Sequence, residues 1–220
     1  LRGDSVVEHG DNMPWYKGGT VLDYLENDHI GSDRKFIDFR FPVQYVHRPN
    51  LDFRGFCGSV ASGVVRVGDE LKALPSGKTS KVKSIVTYDG DIDYAFPPQS
   101  VTICLEDEID ISRGDMLVHP MNIPRMGRSV EAMLVWMSDD PLKINVPYVI
   151  KHTTNTVRGS FTSLQYSVDP VDLHRVDSET LELNQIGRVT MEMFKPLICD
   201  EYVRNRTTGG FVVIDAMNNT

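Results

Sequence analysis

Residues 54–71 read RGFCGSVASGVVRVGDEL, with short apolar runs that glycine interrupts at regular points. The pattern predicts a strand, a tight glycine turn and a second strand, because β-branched and aromatic residues favour strands and glycine permits the turn. The chain continues as LKALPSGKTSKVKSIV over residues 71–86, which predicts a hairpin around Pro75, Ser76 and Gly77.

More short apolar segments lie on both sides of this stretch. FRFPV at residues 39–43 alternates but contains Pro42, which predicts an edge strand or a strand end because proline donates no ladder hydrogen bond. DGD at residues 89–91 predicts a turn, and residues 100–105 and 112–118 predict the last strands of this set. Short strands with turn signals roughly every 8–12 residues are typical of a barrel or a sandwich.

A boundary between two domains is predicted near residues 121–128, where proline and glycine cluster. A second set of strands follows, beginning at Ser129. Its clearest members are predicted at residues 131–137, 148–151, 156–166, 185–193 and 210–215. The sequence therefore predicts an all-β fold with two consecutive barrels.

The one convincing helical stretch lies within the first thirty residues. Thr20 is a suitable cap for a helix over residues 21–26, and we expect Leu22, Leu25 and Tyr24 on its buried face. Residues 27–32 contain the asparagine, glycine and serine that end it. The chain opens on Leu1 rather than Met, and we expect its first residues to continue a longer protein.

Composition excludes several classes of protein. The 220 residues carry a net charge of −8, without the basic excess of a general nucleic-acid binder. We read Cys57, Cys104 and Cys199 as small buried apolar residues, because no paired spacing suggests zinc or a disulfide framework. No apolar run approaches the length of a membrane span and no signal peptide is recognisable, so we expect a cytoplasmic protein without membrane or nucleic-acid partners.

Catalytic, cofactor and metal motifs are missing from the sequence. The phosphate loop GxxxxGK[ST] does not occur, and GKT at residues 77–79 lacks the first glycine and is read as a hairpin turn. DGDID at residues 89–93 is similar to the start of an EF-hand calcium-binding loop. The twelfth position of such a loop is a Glu, but here it is Ser100, so a solvated turn is expected. The histidines lack metal-ligand spacing and no GxSxG elbow is present.

The densest basic spot is Arg204-Asn205-Arg206, just before a glycine pair. One interpretation is a charged hairpin rim. The other makes Arg204 and Arg206 contacts for an anion or a protein partner, because guanidinium forks suit phosphate and carboxylate.

Several runs together resemble the elongation-factor-like GTPases, and among them the large, GTPase subunit of bacterial sulfate adenylyltransferase. MPWYKG at residues 13–18 resembles the tail of a translation-factor-type GTPase domain, and residues 54–71 resemble the barrel domain that follows it. The closer likeness is carried by FRFPVQYV (39–46), IVTYDGD (85–91), DISRGD (110–115), LVWM (134–137) and DEY…NRTTGGF (200–211). These runs span nearly the whole chain.

The resemblance implies a domain plan and a function. Residues 1–32 would be the end of a GTPase domain, residues 33–122 barrel domain II and residues 127–220 barrel domain III, with its last strand truncated. The complete enzyme would couple GTP hydrolysis, with GTP and Mg²⁺ bound outside this chain, to synthesis of adenosine 5′-phosphosulfate from ATP and sulfate. The expected partners are the small catalytic subunit and the chain's own GTPase domain. The alternative is a tRNA- or ribosome-binding barrel module of a translation GTPase.

Overall fold

The computed structural model describes residues 3–10, 12–27, 36–50, 53–169 and 174–215. The chain divides into two compact units, Leu1–Lys35 and Phe36–Thr220. The predicted boundary at residue 32 and the predicted truncation at Thr220 lie outside the described residues.

The first unit contains one short helix, α1, Val21–Asn27. Thr20 caps it as predicted: Asp23 N donates to Thr20 Oγ1 at 3.1 Å, and Thr20 N donates to the Asp23 carboxylate at 2.8 Å. The predicted buried face is wrong, since Leu22, Tyr24 and Leu25 are all exposed. The reason is that the described part of this small unit has no buried hydrophobic residue against which the helix can pack.

The second unit begins with a closed barrel. Its strands are β1 Arg40–His47, β2 Gly55–Ser59, β3 Val65–Arg66, β4 Glu70–Leu74, β5 Thr79–Thr87, β6 Gly90–Ile92, β7 Tyr94–Ala95, β8 Ser100–Leu105 and β9 Met116–Val118. The main sheet has the order β4-β9-β1-β2-β8-β5-β6, and β4 also pairs with β5, which closes the ring. The predicted hairpin around Gly77 joins β4 to β5, and the predicted turn at residues 89–91 joins β5 to β6.

Strand β1 corrects the prediction for Pro42. The strand is neither an edge nor ended there: residues 40–42 pair with β9, and residues 43–47 pair with β2. Pro42 lies where the strand changes partner, next to a bulge between Val43 and Tyr45. A proline is tolerated at such a point because the ladder is already interrupted.

A second set of strands follows the first barrel. They are β10 Arg125–Val135, β11 Pro147–His152, β12 Asn155–Val168, β13 Arg175–Val176, β14 Ile186–Cys199 and β15 Val212–Ile214, with the short helix α2, Arg206–Gly209, before β15. The order is β10-β14-β12-β11-β15, with β13 added to β12. An aromatic chain of Trp136, Tyr148 and Phe161 packs edge to face in its core.

The fold is all-β, as predicted, with two consecutive sets of strands. Strand β14 runs well beyond the predicted residues 185–193, through Pro196. Residues 193–196 lie in a bulge opposite the single residue Arg128 of β10, so the missing N–H of Pro196 breaks no hydrogen bond of that ladder. Neither helix of the described residues has the length or the apolar content to cross a bilayer.

Candidate functional site

The predicted contact residues lie where the two barrels meet. Arg204 follows β14, and its Nε and Nη2 donate to the Asp38 carboxylate at 3.2 and 3.4 Å. Asp38 precedes β1, so this contact joins the second barrel to the first. Arg206 is the first residue of α2 and is exposed. The segment is therefore a short capped helix in the structure rather than a hairpin rim.

Arg40 is the centre of this junction and is only 1% exposed. Its Nε and Nη2 donate to the two carboxylate oxygens of Asp200, at 2.8 and 2.9 Å. Its Nη1 donates to the backbone oxygens of Phe39 and Asn122, both at 2.9 Å, and Nη2 also reaches Asn122 Oδ1 at 3.3 Å. The guanidinium thus meets acceptors from both barrels and from the loop between them, which satisfies its fork of donors.

Asp38 joins the same three parts of the chain. Besides Arg204, its carboxylate accepts a hydrogen bond from Asn122 Nδ2, and its backbone oxygen accepts one from Ser62 Oγ. Asn205 Nδ2 then donates to Ser62 Oγ at 2.8 Å. Asp38, Arg40, Asn122, Asp200, Arg204 and Asn205 are called the junction from here on.

Helix α2 is held to the junction through its cap. The Asn205 side chain accepts hydrogen bonds from the backbone N–H groups of Thr207 and Thr208, at 3.1 and 3.3 Å. Thr208 Oγ1 donates to Asp200 at 2.6 Å, and the buried His152 ring contacts the Thr208 backbone oxygen through Nε2 at 2.8 Å. Since a carbonyl only accepts, His152 Nε2 carries the hydrogen.

The electrostatics agree with this geometry. Burial alone would raise the pKa of Asp200, but the hydrogen bonds from Arg40 and Thr208 and the charge of Arg40 outweigh it and lower that pKa. Burial lowers the pKa of His152, against weaker opposing effects of the Thr208 carbonyl and the Asp200 charge. The junction is therefore built for an ionised Asp200 and a neutral His152.

Residues 77–79, the phosphate-loop-like letters, form the hairpin turn that was predicted. Gly77 N donates to Ala73 O at 2.7 Å, and strand β5 follows directly at Thr79, whereas a phosphate loop leads into a helix. These residues therefore do not fit a nucleotide phosphate. The described residues contain no cluster of three potential metal-ligating side chains, and the turn predicted at residues 89–91 leads from β5 directly into β6 at Gly90.

The cysteines agree only in part with the prediction that all three are buried. Cys104 is buried, but Cys57 and Cys199 are half-buried, and all three are free thiols. Cys57 lies on the outer side of β2, with Sγ 3.3 Å from Thr102 Oγ1. Burial raises the pKa of the Cys104 and Cys199 thiols, which disfavours the reactive thiolate form.

Two surface depressions are also present in the second unit. A shallow one of about 340 Å³ lies on the outside of the first barrel beside Gln44 and Tyr88. A larger cleft of about 1740 Å³ lies along β10 and β15, which are the two end strands of the second sheet in the described residues. The larger cleft is lined in part by His152 and Asp200, whose side chains already form the hydrogen bonds described above.

Arg40 and Asp200 were missed as functional positions by sequence reasoning. A signal existed for Arg40, because an arginine between Phe39 and Phe41 in a buried strand needs a carboxylate partner. The partner is 160 positions away in the chain, and spacing alone does not identify it.

Comparison with known proteins first defines the class. Residues 129–220 match the family model of GTP-eEF1A C-terminal domain-like proteins. The structure of sup35 complexed with GDP is similar over 98% of this chain and 54% of its own, with a TM-score of 0.78 and 17% sequence identity. Translation elongation factor SelB from Methanococcus maripaludis gives a TM-score of 0.62 at 19% identity, over 82% of this chain and 39% of its own. The fold is that of the elongation-factor-like barrels.

The sequence relatives are more specific. Sulfate adenylyltransferase subunit 1 of Bacteroides thetaiotaomicron is 56% identical over the whole of this chain, and so is that of Bacteroides fragilis. A bifunctional enzyme CysN/CysC of Rhodopirellula baltica is 53% identical over the whole chain, which covers 34% of that protein. The similarity to sulfate adenylyltransferase subunit 1 extends along the whole of this chain. It spans about half the length of the subunit 1 relatives, 47% and 46%.

Proposed function

We propose that the chain is the two-barrel, non-catalytic part of the GTPase subunit of sulfate adenylyltransferase. In the complete cytoplasmic enzyme, a small catalytic subunit joins ATP and sulfate into adenosine 5′-phosphosulfate and pyrophosphate. GTP hydrolysis by the large subunit drives this uphill reaction. The observation that carries the proposal is the 56% identity to sulfate adenylyltransferase subunit 1 over all of this chain.

The barrels act as the mechanical part of the coupling. The sequence has no phosphate loop, so GTP and Mg²⁺ bind elsewhere in the parent protein and the chain alone does not turn over GTP. Coupling requires that the GTP- and GDP-bound states of the large subunit differ in their affinity for the catalytic subunit's states. The buried Arg40–Asp200 contact supports this role, because it joins the barrels so that they move together.

A competition experiment tests the proposal. The chain is added in excess to an enzyme reconstituted from the full-length large subunit and the small subunit, and GTP-dependent pyrophosphate release is followed. We expect the chain to inhibit by occupying the small subunit, and extra small subunit to relieve the inhibition. GTP turnover by the chain alone, or no inhibition at any excess, would contradict the proposal. Retention of aminoacyl-tRNA on filters at low salt would instead favour a translation role.

A further inference from the structure

Three loops that meet at the junction expose apolar side chains. Asp38 accepts hydrogen bonds from Asn122 and Arg204, so these contacts hold the three loops side by side. In each loop, the residue just before the hydrogen-bonded one is apolar. These three residues are Ile37, 81% exposed, Met121, 97% exposed, and Val203, 98% exposed. Several apolar side chains exposed close together on ordered loops are typical of an interaction site.

Three neighbours in sequence extend this apolar surface. Phe36, Ile123 and Tyr202 are also among the exposed large hydrophobic residues. The junction patch is defined as Phe36, Ile37, Met121, Ile123, Tyr202 and Val203. Its base is held in place because Asn122 and Arg204 both donate hydrogen bonds to the Asp38 carboxylate, and a preorganised surface loses little conformational entropy on binding.

Three arginines lie close in sequence to the junction patch, although the chain as a whole carries a net charge of −8. The Arg204 side chain is 57% exposed above Asp38. Arg125 pairs with Glu201 at 2.8 Å, but both side chains remain open to solvent. Arg206 is exposed and forms no ion pair with any described residue. The surface therefore offers an apolar centre with guanidinium groups beside it.

We propose that the junction patch is the docking surface for a protein partner with an apolar centre framed by carboxylates, and that this partner is the small catalytic subunit. The identity of the partner rests on the proposed function. A nucleic acid does not suit an apolar centre of this kind, since phosphate contacts dominate its binding. A second copy of this chain is disfavoured, because a two-fold contact would bring the arginines of one patch against those of the other.

Binding measurements on surface variants test the assignment. The purified small subunit is titrated into the chain by calorimetry, and Met121→Asp and Val203→Asp are each expected to weaken binding by about tenfold or more. Arg206→Glu is expected to weaken binding and to reduce its dependence on salt, because it removes a charge contact. Tyr88→Asp is the matched control, since Tyr88 is fully exposed on the first barrel away from the patch, and its binding should be unchanged.

The possible failures are distinguishable. Each variant is first checked by thermal unfolding, and Met121→Ser and Val203→Ser replace any aspartate variant that does not fold. If all patch variants bind like the wild type, the docking surface is wrong and the proposed function stands. If neither the chain nor the full-length large subunit binds the small subunit, the proposed function is wrong. Self-association of the chain that Val203→Asp abolishes would assign the patch to a second copy.

Discussion

The Arg40 guanidinium is accommodated in the interior because Asp200 supplies a counter-charge and backbone oxygens accept hydrogen bonds from its other donors. Taking such a pair out of water is costly, and only complete hydrogen bonding compensates for it. Asp200→Asn leaves the guanidinium buried without a counter-charge. We expect the free energy of unfolding, measured in urea at neutral pH, to fall by about 3–5 kcal/mol.

The control for this prediction is an exposed pair of similar length. Arg188 and Glu131 are 2.7 Å apart, but their side chains are 38% and 51% exposed. Glu131→Gln should have a much smaller effect, since water solvates the remaining charge. The double variant Arg40→Met, Asp200→Leu should recover much of the stability lost in Asp200→Asn, because no unpaired charge remains. If Asp200→Asn and Glu131→Gln lower the free energy of unfolding equally, Arg40 does not depend on Asp200 as its buried counter-charge.

Single residues show where sequence reasoning reaches its limit. The sequence singled out Arg204 and Arg206 from their local density, and the structure places Arg204 on Asp38 in the other barrel. It did not indicate Asp200, because an acidic residue at the end of a strand has no pattern that distinguishes a buried partner from a solvated one. The partner of a buried charge is set by tertiary contact, which spacing does not encode.

The turn before β3 depends on Gly63, for two physical reasons that can be separated. Gly63 has φ of +75°, and a Cβ there would lie 2.3 Å from the Phe39 Cα. Gly68 has φ of +89° with open space around it. Gly68→Ala should therefore cost about 1–2 kcal/mol in stability from backbone strain alone. Gly63→Ala should cost clearly more in urea unfolding, because it adds a backbone clash; a smaller loss than for Gly68→Ala would contradict this.

The stability that the buried His152 contributes through its contact with helix α2 should depend on pH. Burial lowers the pKa of His152, so the folded state keeps the ring neutral at a pH where the unfolded chain takes up a proton. The contribution of His152 is therefore complete above its ordinary pKa of about 6.5. This stabilisation is lost as the pH falls from about 6.5 through the lowered pKa of His152 in the folded state.

The variant His152→Gln measures this contribution, since glutamine keeps an N–H for the Thr208 oxygen but does not titrate. The stability of the wild type relative to His152→Gln, from urea unfolding, should decrease from pH 7.5 to pH 5.5. Asp200, the charged group that acts on the ring, opposes the effect without reversing its direction. If the difference in stability between the wild type and His152→Gln does not change with pH, folding does not lower the pKa of His152 and the prediction is wrong.

Elements were predicted best where local chemistry decides them. The β4–β5 hairpin depends on Pro75 and Gly77, and the β5–β6 turn on Gly90, so the sequence located both. Pro42 was misleading, because it lies inside a strand at a point where the pairing is interrupted. The helix was located by Thr20, but its buried face was wrong, since burial depends on what packs against it.

At the scale of the molecule, alternating strands and turns predicted two barrels but gave no indication of how they are joined. The contacts that join them come from positions far apart in the chain, such as Asp38 with Arg204 and Ser62 with Asn205. The closed first barrel has no free edge in its ring, so the second barrel is joined to it through loops and side chains rather than through a shared sheet. The junction therefore helps to determine whether the barrels behave as one body, together with the buried cluster in which Ile198 of β14 packs with Leu74, Met116 and Val118 of the first barrel.

This leads to a prediction for the cooperativity of unfolding. If the junction couples the barrels, amides of β1 in the first barrel and β14 in the second should exchange hydrogen through the same global opening, with the same free energy. Asp200→Asn removes the counter-charge that holds them together, so the two sets of amides should separate into distinct openings, with the less stable barrel opening first. Glu131→Gln, on the outside of the second barrel, should leave the amides of β1 and β14 exchanging through the same opening.

Hydrogen exchange followed by mass spectrometry measures the amides of both strands in one sample. Separate openings already in the wild type would mean that the barrels are independent, and would contradict the proposal that they move together.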